Sequence, residues 1–155
     1  MLGRQPLWST RRWHHDESIE PDGGAWADRE SSNSPRAATH LRAAGDGSVQ
    51  CWGDNSFGQL GDGTMTNRWN PTAVPGLAGV VQLAVGFGYT CARLGDGSVR
   101  CLGANAAGQL GDGPRTSRSN PTLVPGLTGV VELAAGLIHT CARLADGSVR
   151  MLGLQ

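Results

Sequence analysis

Val80-Val81-Gln82-Leu83-Ala84-Val85-Gly86 opens a stretch that continues through Tyr89-Thr90-Cys91-Ala92-Arg93-Leu94, Gly95-Asp96-Gly97 and Ser98-Val99-Arg100-Cys101-Leu102. The first run is β-branched, mostly apolar and closed by Gly, which predicts a short strand. Residues 90–94 and 98–102 predict two more. Asn120-Pro121-Thr122-Leu123-Val124, ended by Pro125-Gly126, predicts a fourth. That fourth strand belongs at a sheet edge, because Pro cannot donate to a ladder. Four short strands with turns between them describe one blade of a β-propeller, with a solenoid coil as the other reading.

The same pattern recurs. Residues 48–97 align without a gap on residues 98–147, with 33 identities in 50 positions. A third copy starts at Ser148-Val149-Arg150-Met151 and occupies residues 148–155. A fixed period of this length marks a repeat architecture in which each unit is one supersecondary module. The domain division that follows is 1–38 as a non-repeat arm and 39–155 as propeller repeats. The arm is expected to be irregular. It holds three of the five Trp residues with no strand or helix period around them, and Ser31-Ser32-Asn33-Ser34-Pro35 reads as linker.

Composition agrees. The chain of 155 residues has 24 Gly and 8 Pro, about a fifth of the total, against about 12% on average for these two together. Such usage disfavours long helices. Thirteen basic and 13 acidic residues balance to a net charge of zero, which gives no reason to expect nucleic acid or an acidic membrane as partner. All the basic residues are Arg. No apolar run is long enough for a transmembrane helix or a signal-peptide core. The expected location is cytoplasmic by default, with export left open should the true N-terminus lie upstream.

The turn Gly95-Asp96-Gly97 suits a three-residue hairpin whose last Gly is left-handed. In that register Cys91 lies opposite Cys101. Opposed non-hydrogen-bonded positions bring the Cβ atoms within disulfide reach. The pair therefore has two readings, a disulfide or two small buried hydrophobes. The same rule places Leu41 opposite Cys51 and Met151 opposite Cys141, so these two cysteines are expected to be free, alkylatable thiols.

Cys51-Trp52-Gly53-Asp54-Asn55-Ser56-Phe57-Gly58-Gln59-Leu60-Gly61 and Gly86-Phe87-Gly88-Tyr89-Thr90-Cys91-Ala92, with their second copies at 101–111 and 136–142, resemble the regulator-of-chromosome-condensation repeat. The resemblance covers residues 48–155. It implies an all-β fold, here a partial, open β-propeller of two four-stranded antiparallel blades plus partial edge strands. Two copies do not close the usual ring of seven, so the expectation is either a fragment of a longer propeller or a mis-delimited reading frame, with open ends that expose apolar sheet faces. Leu102 and Leu152 replace the motif Trp, and Met151 replaces its Cys.

Candidate chemistry is sparse. The recurring Gly-Asp-Gly segments precede no helix and carry no Lys-Ser/Thr, so they are turns and not phosphate loops. Asp54, Asp62, Asp96 and Asp112 lack calcium-loop spacing. His14-His15-Asp16 is ligand-like in composition only. No nucleophile and base can be paired, so the expectation is a non-enzyme with no cofactor and no metal.

The remaining classes are a protein-interaction propeller and, by family resemblance, a guanine-nucleotide exchange factor for a small GTPase or a secreted enzyme inhibitor. For the first, the two copies differ mainly in the loops of one propeller face. Phe87-Gly88-Tyr89 becomes Leu137-Ile138-His139, and Phe57 and Trp69 become Ala107 and Ser119. Loops that vary over a constant scaffold suit partner binding. Aromatic residues are common interface anchors, so Phe57, Trp69, Phe87 and Tyr89 are the candidate binding residues for a protein partner. The competing reading packs Phe57 and Trp69 between blades.

Overall fold

The computed structural model describes residues 25–30 and 38–153. They form 11 strands and no helix. The first sheet holds β1 (Ala25–Glu30), β2 (Ala38–Ala43), β3 (Val49–Gly53) and β4 (Arg68–Ala73) in that spatial order. The second holds β5 (Val80–Val85), β6 (Tyr89–Leu94), β7 (Val99–Gly103) and β8 (Arg118–Leu123). A third sheet holds β9 (Val130–Ala135), β10 (His139–Leu144) and β11 (Val149–Gly153). All pairings are antiparallel between chain neighbours. β5 packs against both β1 and β9, so the first strands of successive sheets lie together, as in an open propeller.

The sequence copies and the sheets are out of phase. The second sheet takes β5 and β6 from the end of one copy, and β7 and β8 from the start of the next. Pro71 and Pro121 sit on the edge strands β4 and β8.

One part of the irregular-arm expectation is corrected. Ala25–Glu30 is a strand, with Ala25 opposite Ala43 and Glu30 opposite Ala38. The free edge of β2 presents a row of backbone donors and acceptors, and main-chain pairing satisfies them whatever the side-chain period of the pairing segment. A period-based reading is blind to such a strand. The Ser31–Pro35 linker and the His14-His15-Asp16 cluster lie outside the described residues.

The β6–β7 hairpin is built by its turn. The Gly97 amide donates to Leu94 O at 3.0 Å, the Leu94 amide donates to Ser98 O at 2.9 Å, and Gly97 has φ +80°. An L-residue with a side chain resists that φ, and Gly adopts it freely. The resulting register sets Cys91 opposite Cys101, Leu41 opposite Cys51 and Cys141 opposite Met151. A disulfide joins Cys91 to Cys101. Cys51 and Cys141 are free.

Side chains alternate between two apolar layers. Leu41, Val49, Cys51, Leu60, Val80, Ala92 and Leu102 pack between the first and second sheets. Tyr89, Cys91, Val99, Cys101, Leu110, Val130, Leu133 and Ala142 pack between the second and third. A strand of the second sheet is thus buried on both faces, and the first four residues of β6 are all buried. β10 keeps only Thr140 and Ala142 buried. Val149 and Met151 are 57% and 44% exposed, against 0% for the equivalent Val99 and Cys101.

The sheets are also tied by polar bonds. Gln82 grips the Leu133 backbone from both sides, Nε2 donating to Leu133 O (3.1 Å) and Oε1 accepting from Leu133 N (3.0 Å). The Val130 amide donates to Gly97 O (3.0 Å), as Val80 does to Gly47 O (3.1 Å).

The free thiols are unlike each other. Cys51 is fully buried and donates to Leu60 O at 2.8 Å. Burial, reinforced by the nearby Asp62 carboxylate, pushes its pKa up to about 12. Cys141 is half-buried. The expectation of two alkylatable thiols therefore applies to Cys141 and is corrected for Cys51, because the thiolate is the nucleophile. Iodoacetamide on the native, oxidised protein should label Cys141 first. Cys51 should react only when urea unfolds the chain, and Cys91 and Cys101 only after reduction. Peptide mapping by mass spectrometry reads the order, and Cys91 labelled without reductant would overturn the pairing.

Candidate functional site

The loop joining β3 to β4 carries the repeated motif, and buried amides hold it. Asn55 is fully buried. Its Oδ1 accepts from the Leu60 amide at 2.9 Å. Its Nδ2 donates to Thr64 O (3.0 Å), Thr66 O (3.1 Å) and Asp62 Oδ1 (3.3 Å). Asn105 repeats this in the next unit. Its Oδ1 accepts from Leu110 N at 3.0 Å, and its Nδ2 donates to Asp112 Oδ1, Pro114 O and Thr116 O at 2.8, 2.7 and 3.2 Å. One side chain thereby satisfies backbone groups that an irregular buried loop leaves without partners.

Two further contacts close the loop. Arg68 Nε donates to Asp62 Oδ2 at 2.6 Å, and Arg118 to Asp112 at 2.6 Å. Burial alone raises the Asp62 pKa, but hydrogen bonds from Thr64 and Arg68 outweigh it and leave the carboxyl below its ordinary value of 3.8. Gln59 Oε1 accepts from the Phe57 amide at 2.8 Å, as Gln109 Oε1 does from Ala107 at 2.9 Å. Thr90 and Thr140, from the neighbouring sheets, donate to Gln59 O (3.4 Å) and Gln109 O (3.0 Å). The loops are thus fixed to the sheet that follows them.

Phe57 and Phe87 meet above this scaffold. With Thr39, Asp54, Gln59, Gly86 and Gly88 they line a cleft of ≈ 40 Å³ where the first and second sheets adjoin. Each residue is 41% exposed. Gly88 admits the Phe57 ring, since a Cβ there would lie 2.7 Å from Phe57 Cδ2. Asp54 is half-buried. Its Oδ1 accepts from Ser56 Oγ (2.6 Å) and its Oδ2 from Gln59 Nε2 (2.9 Å).

The other two candidate residues are elsewhere. Trp69 is 62% exposed on the edge strand β4, at the register shift between Cys51 and Gly53, and does not line the cleft. Tyr89 is corrected outright. It is fully buried, and its hydroxyl donates to Gly136 O (3.1 Å) and His139 O (2.5 Å) of the third sheet. A strand position that points between sheets cannot offer its ring to a partner. Asn55, Gln59 and their copies were missed as scaffold residues. Their signal was present, since a polar residue kept at the same loop position in both copies has a partner to satisfy. Asp54 was considered only as a calcium ligand and had no place among the candidate binding residues.

The turn carboxylates are satisfied locally. Asp46, Asp96 and Asp146 are held below the ordinary range by hydrogen bonds from Ser48, Ser98 and Ser148. Among the described residues no group of three or more His, Cys, Asp or Glu could hold a metal, and no helix is long and apolar enough to cross a membrane.

Residues 46–93 and 96–143 match the regulator of chromosome condensation (RCC1) repeat. No curated protein matches the chain. Among solved structures, human WBSCR16 is similar at a TM-score of 0.65 and 26% identity, over 74% of this chain and 31% of that one. Yeast RCC1 (Prp20), in a structure with Kap60, is similar at 0.63 and 21%, over 74% and 30%. Prp20p from Saccharomyces cerevisiae, described with its binding to Gsp1p and histones, gives 0.62 and 22%, over 74% and 31%. The chain spans about three-tenths of the length of each.

Asn105→Ala leaves the Leu110 amide and two loop carbonyls unpartnered, and should cost roughly 3 kcal/mol of stability in a urea titration. Acid should weaken the fold through Asp62. Its folded pKa is lowered, so its contribution is complete above 3.8 and is lost as pH falls through the lower folded value. Asp62→Asn should flatten that part of the decline, measured as urea midpoints from pH 6 to pH 3.

Proposed function

Because this chain belongs to the regulator of chromosome condensation repeat family, we propose that it is a non-enzymatic protein-interaction module whose contact surface centres on Phe57 and Phe87. The observation that carries this reading is the pair of half-exposed rings at one cleft, above loops held by buried amides. Exposed aromatic rings on a rigid platform lose little conformational entropy on binding and serve as anchors. The cleft is far below the roughly 300–1,000 Å³ of small-molecule sites, so a protein side chain suits it better than a metabolite. Trp69 lies outside the cleft and is a separate rim contact in this proposal.

Guanine-nucleotide exchange is the family alternative. Its support is the likeness to Prp20p, whose structure is described with binding to Gsp1p and histones. At 22% identity and 31% of that chain, this likeness extends to fold alone. The zero net charge adds no support for a chromatin role.

The test is affinity capture with the whole chain and a Phe57→Ala/Phe87→Ala variant, after urea titration shows that both fold alike. A specific partner held by the parent should lose at least about tenfold in affinity for the variant, as two anchor truncations of 1–2 kcal/mol each require. An unchanged set of captured proteins would sink the reading, and accelerated nucleotide release from a small GTPase would favour exchange.

A further inference from the structure

We propose that the Phe57–Phe87 cleft receives an arginine side chain of the partner, with the guanidinium on the Asp54 carboxylate and against the phenyl rings. This rests on the interaction reading above and names the chemistry of the same site.

Asp54 differs from the other loop carboxylates in its partners. Asp62 and Asp112 are each matched by an arginine of their own loop. Asp54 has only neutral donors, the Ser56 hydroxyl and the Gln59 amide, and no cation pairs with it among the described residues. One hydrogen bond to each oxygen leaves about two of its four lone-pair sites open. A half-buried carboxylate with spare acceptor capacity beside two apolar rings favours a cation that can also lie against an aromatic face. Arg does both, since its planar guanidinium bridges a carboxylate and stacks on rings. The ammonium of Lys is a compact, strongly hydrated charge and gains less there.

The site is preorganised. The same Gln59 side chain that donates to Asp54 Oδ2 accepts from the Phe57 amide, so one amide positions both the charge and one ring. The Gln59 backbone is held in turn by Thr90 of the second sheet. A cleft of ≈ 40 Å³ is on the scale of one side-chain head group.

The second unit shows that neither the carboxylate nor the two rings are needed to fold the loop. Asp54, Phe57 and Phe87 correspond to Ala104, Ala107 and Leu137. With Ala104 in place, the Asn105 network and the Gln109–Ala107 bond still form. The charge and both rings are replaced together, as expected of one ligand-facing set and not of three independent structural residues.

The chain contains only two Phe residues, and both line the cleft. Selective 13C labelling of Phe therefore reports on this site alone. The labelled chain is titrated with acetyl-Gly-Arg-Gly-amide and with its lysine and citrulline counterparts. The arginine peptide should shift both Phe ring signals saturably, the lysine peptide more weakly, and the neutral, near-isosteric citrulline peptide not at all. Asp54→Asn should weaken the arginine peptide at least about tenfold, the loss of one charge-assisted contact. Its fold should persist, because Ala occupies the equivalent position in the second unit.

Equal binding of arginine and citrulline peptides, an unchanged affinity in Asp54→Asn, or shifts that never saturate would overturn the proposal. The citrulline comparison uses the unaltered protein and stands even where the variant fails to fold. Absence of arginine binding combined with partner loss in the Phe double variant refutes the arginine chemistry and leaves the interaction reading standing. Arginine binding with unchanged partner capture supports this site and refutes that reading.

Discussion

A four-stranded sheet with apolar residues on both faces needs another sheet against each of them, and the contact between successive sheets is what the rest of this structure depends on. In β6 the alternation sends Tyr89 and Cys91 into one apolar layer and Ala92 into the other. The same alternation in β10 buries Thr140 and Ala142 against the second sheet and leaves His139 exposed. Apolar burial is non-directional and does not select one sheet spacing. The polar bonds do. Gln82 fastens to the Leu133 backbone, Tyr89 to the carbonyls of Gly136 and His139, and Thr90 and Thr140 to the preceding loops. Buried polar groups are costly unless paired, so these bonds specify one arrangement of sheets.

The motif loops depend on that arrangement. A loop of about a dozen residues cannot stay buried unless its backbone groups find partners. Asn55 and Asn105 supply them from inside, and the Asp–Arg pairs close the far end. With the backbone fixed in this way, side chains that make none of these backbone bonds are free to differ. Asp54 and Phe57 against Ala104 and Ala107 is that freedom in use, and the two loops keep the Asn and Gln bonds to their backbones beneath different surfaces.

Equivalent cysteines show how far one register can lead to different chemistry. The same hairpin places Cys101 opposite Cys91, Leu41 opposite Cys51 and Met151 opposite Cys141. The outcomes are a disulfide, a buried thiol with its pKa raised to about 12, and a half-buried free thiol. The partner residue and the neighbouring sheet make the difference, because the backbone is alike in all three.

The fold class, the repeat, the strand positions 80–85, 90–94 and 98–102, and the facing of Cys91 with Cys101 were legible in the sequence. Each depends on local rules, namely a period of two, the φ freedom of Gly97 and the spacing across a three-residue turn. Three things required the tertiary structure. Ala25–Glu30 becomes a strand through main-chain pairing to β2, which leaves no mark in side-chain pattern. Tyr89 has the composition of an anchor but the position of a clamp, and only the placement of the third sheet distinguishes them. Phe57 and Phe87 stand 30 positions apart in sequence, and it is the packing of the first sheet on the second that brings their rings to one cleft with Asp54. Local rules act over a few residues of chain, whereas a site between sheets is made by contacts that no stretch of a few residues contains.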